Sequence, residues 1–235
     1  WIEQYGAPLR PHIVDAFALL ESANAAGKNI LFEAQLGAMR DIDYGIYPYT
    51  SSSSPLSAYA PVGSGCPALK VDRTVGVVKA YSTCVGQGPF VGELFGEAGD
   101  ALREAGQEYG AATGRPRRVA WIDLVATRYG AKLQAATEIV LTKLDVLSYL
   151  DEIPLCVAYR KGDGETRDFP YTSELDACEP VYETMPGWKC DISGARTYSE
   201  LPKEARDYVE RIEREIGCPI SYVSVGAQRD ALIRR

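Results

Sequence analysis

The chain has 235 residues, 46% of them hydrophobic, and 25 Lys and Arg stand against 32 Asp and Glu for a formal net charge of -7. That apolar content excludes a disordered chain and can supply a real core, arranged as one large unit or two small ones. The acidic balance excludes nonspecific attraction to nucleic acid or to an anionic membrane, and no apolar run is long enough to span a bilayer.

The first residue is Trp1 rather than Met and no basic-then-apolar leader is visible, which points to a cytoplasmic protein whose natural start is missing or processed. Six cysteines (Cys66, Cys84, Cys156, Cys178, Cys190 and Cys218) show no C-x-x-C spacing, so reduced thiols are expected. His12 is the lone histidine and has no second imidazole for a zinc site.

Taken in order, Ile13, Phe17, Leu20 and Ala23 recur at helical spacing and Gly27 offers a stop, which predicts an amphipathic helix over 11–24 packed on a buried strand at 28–33. Residues 37–66 lose regular patterning, and the tyrosines and prolines among their serines predict an ordered, functional loop. A short buried helix over 71–79, a strand over 80–85 and a helix over 93–108 follow.

Residues 109–122 read Y-G-A-A-T-G-R-P-R-R-V-A-W-I, and between Glu108 and Asp123 the only charges are Arg115, Arg117 and Arg118. Gly110 and Gly114 let the backbone approach a ligand, Pro116 stiffens the loop, and guanidinium forks suit carboxylates and phosphates. This is either an anion clamp or a solvated basic turn whose arginines pair with surface acids. Ile122, Val125, Tyr129 and Leu133 predict a helix directly after it, whose N-terminus adds positive charge to the loop.

Strands at 138–142 and 155–160, a hairpin turn at Asp163-Gly164, a strong helix beginning at Ser199 and ended by Gly217 and Pro219, and a strand at 220–224 complete the chain. Helix and strand alternate, so the expected class is α/β, with a mixed, largely parallel sheet core and surrounding helices. Residues 1–235 show no repeat and no interdomain linker, which predicts a single compact unit.

A strand that ends in T-K-L-D has a use. At the carboxyl end of a sheet strand, Asp145 can accept both the N1 hydrogen and the exocyclic amine of guanine while the stem of Lys143 covers the base. A lone K-x-D triplet is equally a surface ion pair, and the turn at Ser224-Val225-Gly226 is a second junction that could reach the same base.

Together these stretches resemble the adenylosuccinate synthetase family. L-F-E at Leu31, D-I-D-Y-G-I-Y-P-Y at Asp41, G-V-V-K-A-Y-S-T at Gly76, V-G-Q-G-P-F at Val85, T-G-R-P-R-R at Thr113, L-T-K-L-D-V-L at Leu141 and Y-E-T-M-P-G-W at Tyr182 fall in family order across almost the whole chain. The resemblance implies a dimeric ligase that joins IMP to L-aspartate with GTP and Mg2+, through a 6-phosphoryl intermediate. It assigns GTP to Arg117, Lys143, Leu144, Asp145, Ser224, Val225 and Gly226. It assigns aspartate to Thr113, Gly114, Arg115 and Arg117, and IMP to Gln35, Thr50, Ser51, Val85 and Arg115, with Arg118 at no ligand contact.

Departures from the family pattern are visible. The usual F-E-G-A-Q-G is F-E-A-Q-L-G, which puts Leu36 at the glutamine position with Gln35 one step away. Ser51 stands at the usual threonine beside Thr50, and Ala112 replaces another threonine. The family's phosphate-binding loop, catalytic aspartate and histidine have no match here. The resemblance therefore covers the carboxyl-terminal part of a P-loop-like GTP-dependent ligase, with no catalytic residue and no metal ligand in this chain, expected to be inactive alone. A non-catalytic guanine-nucleotide-binding module and a synthetase acting on a modified purine nucleotide are the alternatives.

Overall fold

A computed structural model describes residues 1–235. After short non-α helical turns at Ile2–Gly6 and Ala7–His12, the chain forms a helix, α1 (Ala16–Ala25), and further on a single α-helical turn, α2 (Ala60–Gly63). Strands β1 (Val75–Lys79) and β2 (Ser82–Cys84) lead to helix α3 (Gly96–Gly106), then β3 (Arg118–Ala120), β4 (Ile122–Asp123) and helix α4 (Leu124–Leu133). The second half contains β5 (Glu138–Thr142), β6 (Glu152–Lys161), β7 (Gly164–Thr166), the turn α5 (Thr172–Leu175), β8 (Glu179–Pro186), helix α6 (Lys203–Ile216), β9 (Ile220–Ser224) and β10 (Leu232–Arg234).

The organising sheet has the order β1-β5-β9-β10, in which β1, β5 and β9 run parallel and β10 returns antiparallel. A second sheet is built on the long β6, with β4 parallel to it and β7 and β8 antiparallel, and β2 pairs with β3 in a separate ribbon. The expected α/β class with a mixed, largely parallel core is therefore the fold observed. Both faces of a parallel strand are covered, so β5 reads E-I-V-L-T, a run of apolar residues rather than an alternation.

Helix α6 buries Ala205, Tyr208, Val209, Ile212 and Ile216, each large side chain worth about 1.5–3 kcal/mol on removal from water. Its Tyr208 hydroxyl donates to the carbonyl of Ala80 (2.7 Å), which fastens the helix to the carboxyl end of β1. Gly217, at φ +68, stops the helix in the left-handed region that glycine enters without strain.

Three local expectations are corrected. Residues 71–79 form no helix: Val75, Val77 and Val78 are β-branched and β5 supplies a partner, so this stretch is the edge strand β1. Residues 28–33 form no strand, because no strand pairs with them, and Leu31 is 92% exposed. Helix α1 exists, capped by the Asp15 side chain on the Ala18 N–H, yet it buries none of its residues, so the predicted helix-on-strand packing is absent.

The stretch over 37–66 is the ordered loop expected. Buried Asp41 accepts from the N–H groups of Asp43 (2.9 Å) and Tyr44 (2.8 Å) and from the Ser54 hydroxyl, so the last serine of the run is tied to the start of the loop.

Candidate functional site

Parallel strands that end side by side deliver their following loops to one place. Leu141 of β5 is in register with Val223 of β9, so Lys143-Leu144-Asp145 and Ser224-Val225-Gly226 emerge as neighbours from the carboxyl edge of the sheet, with Lys79 of β1 on the other side of β5. Lys143 turns the chain with φ +60 and donates to the Gly106 carbonyl (2.6 Å). Asp145 is half-buried and no other side chain hydrogen-bonds to it; burial raises its pKa against the backbone N–H groups of Asp145 and Val146 and the pull of Lys143, while Asp191 adds to the rise. A half-buried carboxylate free of side-chain partners at such an edge can accept from a ligand with two adjacent donors. Leu144 and Val225 are buried and Val225 N–H already donates to Ala231, so these two shape the site while Gly226 and Ser224 line the turn.

The arginine loop is a hairpin closed by Tyr109 and Pro116. Gly110 N–H donates to Arg115 O (2.9 Å), Gly114 N–H to Gly110 O (2.7 Å), and Arg115 N–H to the Thr113 hydroxyl (3.3 Å), with Gly114 at φ +64. Its three arginines differ. Arg118 is bidentate to Glu93 (2.9 and 2.5 Å) and also donates to the carbonyls of Gly86 (3.2 Å) and Gly88 (2.8 Å). Arg117 donates to buried Glu108 (2.7 Å), while Arg115 is exposed and its guanidinium has no partner.

The absence of an acidic neighbour in sequence thus misleads for two of the three, since Glu108 and Glu93 are brought in by the fold. The expected helix N-terminus is also elsewhere: β3 and β4 intervene, and α4 is capped by buried Asp123, which accepts from Val125 N–H (3.0 Å), Ala126 N–H (2.9 Å) and the Tyr159 hydroxyl.

Sequence reasoning passed over three residues that assemble this edge, Glu108, Lys79 and Tyr81, and a fourth, Arg40, beside the serine loop. Glu108 has no exposure and takes Lys79 (2.8 Å), Tyr81 (2.5 Å) and Arg117 together. Burial acts to raise its pKa, but the three hydrogen bonds outweigh it and hold the carboxyl at about 2.

Arg40 does for the serine loop what Glu108 does here. It donates to the Tyr49 carbonyl, to the Val85 carbonyl (2.7 Å), to Gln87 O (3.3 Å) and to Cys84 Sγ (2.7 Å), and its own carbonyl accepts Ser51 N–H (2.8 Å). Thr50, Ser51 and Val85 are thereby brought to one neighbourhood, and Arg118 links the turn after Val85 to the arginine loop. Gln35 and Leu36 lie exposed in coil, with Leu36 at φ +79, and no hydrogen bond ties Gln35 to the others. The signal for Glu108 was its place immediately before a loop with three arginines and no other acid.

A family model, adenylosuccinate synthetase, matches residues 1–233. The chain belongs to the adenylosuccinate synthetase family. It is 49% identical over 231 residues to the adenylosuccinate synthetase of Bifidobacterium adolescentis, covering 97% of this chain and 54% of that protein. It is likewise 49% identical over 232 residues to that of Thermomicrobium roseum, covering 98% of this chain and 54% of that protein.

Among solved structures, the fully ligated adenylosuccinate synthetase from Plasmodium falciparum superposes with a TM-score of 0.94 at 39% identity, over 99% of this chain and 56% of that one. The chain spans about half the length of the family members it matches. A cyanophage S-2L succinoaminodeoxyadenylate synthetase shares the fold at a TM-score of 0.57 and 16% identity, over 98% of this chain and 55% of that one.

Proposed function

We propose that this chain is the substrate- and guanine-recognising part of an enzyme that ligates IMP and L-aspartate to adenylosuccinate at the expense of GTP. The observation that carries the reading is the convergence of a half-buried Asp145, free of side-chain partners, and the Ser224–Gly226 turn on one sheet edge, with the arginine loop tied to the same edge through Glu108. Asp145 would accept the two guanine donors, with the Lys143 stem over the base. Arg115, whose fork is unengaged, and the free nitrogens of Arg117 would take the aspartate carboxylates with Thr113 and Gly114. Val85, Thr50 and Ser51, gathered by Arg40, would flank IMP, with Gln35 brought in only by rearrangement of its coil.

The residues of this chain orient substrates and neutralise their charge; phosphoryl transfer needs metal and phosphate-cradling groups in place together. No group of three or more His, Cys, Asp or Glu side chains comes together here. Residues 1–235 are read as one unit of a homodimeric, cytoplasmic enzyme. No helix is long and apolar enough to cross a membrane.

The test is adenylosuccinate formation by the intact enzyme from IMP, L-aspartate and GTP, repeated with Asp145→Asn. An amide accepts only one of the two guanine hydrogens and faces the other with a donor, so kcat/KM for GTP should fall by about 2–4 kcal/mol. Use of ITP, which lacks the exocyclic amine, should fall less. An Asp145→Asn enzyme with parental GTP kinetics removes Asp145 from the base site.

A further inference from the structure

A carboxylate with no solvent exposure is surrounded by three cations of different origin. Glu108 follows the C-terminal end of α3. Its Oε1 accepts Lys79 Nζ from β1 (2.8 Å) and the Tyr81 hydroxyl, its Oε2 accepts Arg117 Nη1 (2.7 Å), and Lys143 Nζ stands 3.6 Å from Oε1. One anion against three cations leaves this cluster positive, with Asp145 the next acid at the same edge. A buried ion pair alone would be a matter of stability, and a costly one, since desolvation offsets most of the attraction.

Two details go further. Arg117 spends a single nitrogen, Nη1, on Glu108, and its Nε and Nη2 have no partner, so the carboxylate fixes the guanidinium while leaving donors free. Lys143 Nζ donates to the Gly106 carbonyl (2.6 Å) beside Glu108, so its ammonium is held between β5 and the end of α3. The fit leaves no slack: a Cβ on Gly106 would come 2.4 Å from the Tyr81 hydroxyl and 3.1 Å from Glu108 Cγ, so the end of α3, Tyr81 and the carboxylate are packed to one spacing.

We propose that Glu108 is a positioning residue that sets the free donors of Arg117 and the stem of Lys143 against one another, coupling the arginine loop to the base-reading turn. The proposal rests on the reading of those two loops given above. Neither loop touches the other directly through these side chains; the carboxylate is the shared partner. A ligand that engages one loop therefore finds the other already placed, which lowers the ordering cost of the second contact.

The experiment compares the intact enzyme with Glu108→Gln, Lys143→Met and the double variant. It reads GDP affinity by calorimetry, KM for GTP, aspartate and IMP, kcat, and the melting temperature. Glu108→Gln should weaken GDP binding and raise KM for both GTP and aspartate about tenfold or more, with KM for IMP within about twofold. Adding Lys143→Met should cost less than the product of the two single effects on GDP affinity, the mark of coupled residues. Glu108→Asp, which keeps the charge and withdraws it, should fall between parent and Glu108→Gln, and it decides the question if Glu108→Gln does not fold.

A lowered melting temperature with GDP affinity and both KM values unchanged overturns the proposal and leaves a structural ion pair. So does a double variant whose cost is the full product. If the parent joins no IMP to aspartate, the activity reading fails while GDP calorimetry still decides the role of Glu108. A parent that binds no GDP overturns both.

Discussion

At the scale of the residue, three neighbouring arginines with the same charge have three different tasks. Arg115 is exposed and unengaged, Arg117 is half-engaged by Glu108, and Arg118 is consumed by Glu93 and the carbonyls of Gly86 and Gly88, with its guanidinium over the Phe90 ring at 5.4 Å. Lysine carries the charge but not the planar fork. In the intact enzyme Arg115→Lys is expected to raise the aspartate KM or lower kcat by about ten- to a thousandfold at an unchanged melting temperature.

Arg118→Lys should do the reverse, lowering the melting temperature first, because a single ammonium cannot span the Glu93 carboxylate and the two carbonyls that three guanidinium nitrogens reach. The resemblance implied that Arg118 would tolerate change, since it matches no ligand contact; its partners in the fold give it a different use. Thermal melts and aspartate kinetics on the two variants separate the roles, and identical behaviour of both would return the loop to a plain basic turn.

At the scale of the element, helix α4 starts on a buried acid. Burial raises the Asp123 pKa, hydrogen bonds from Tyr159, Ala126 N–H and Val125 N–H pull it back, and the result is about 6 against an ordinary 3.8. A folded-state pKa above the unfolded one means the folded protein holds the extra proton. This stabilising contribution is complete below the unfolded value and is lost as pH rises through about 6.

Glu108 has the opposite sign: held at about 2 against 4.5, its contribution is complete above the unfolded value and is lost as pH falls towards the folded one. Asn at position 123 cannot titrate, so the stability difference between parent and Asp123→Asn should shrink as pH rises from about 4 to about 6. Urea melts across that range check it, and a difference independent of pH removes Asp123 as the titrating group.

At the scale of the whole molecule, burial is uneven. Between Trp1 and Gly37 no residue is buried, and Trp1, Ile2, Ile13, Phe17 and Leu31 are exposed apolar side chains, whereas the 29-residue core cluster begins at Ala80. Segments with few apolar contacts open at little cost. In the 235-residue chain by itself, amides of α1 should exchange with solvent orders of magnitude faster than those of β5, β9 and α6, read residue by residue by mass spectrometry or NMR. Protection of α1 equal to that of β5 would show a contact that this arrangement lacks.

What the sequence determined by itself is what short-range chemistry encodes. The apolar run of β5, the amphipathic α6 with its Gly217 stop and the strand β9 were legible because each carries its own period and its own punctuation. The T-G-R-P-R-R string was legible as a tight turn and T-K-L-D as the end of a strand. Tertiary structure decided the pairings that need distant partners. Whether 71–79 is helix or strand depended on β5, sixty-odd residues away in register from Val75 to Glu138. Whether an arginine is free for a ligand depended on Glu93 and Glu108, and which loops share an edge depended on the parallel alignment of β5 with β9. A periodicity reports which face of an element is apolar; it does not report what that face meets, and a charge count along the chain does not measure charge across space.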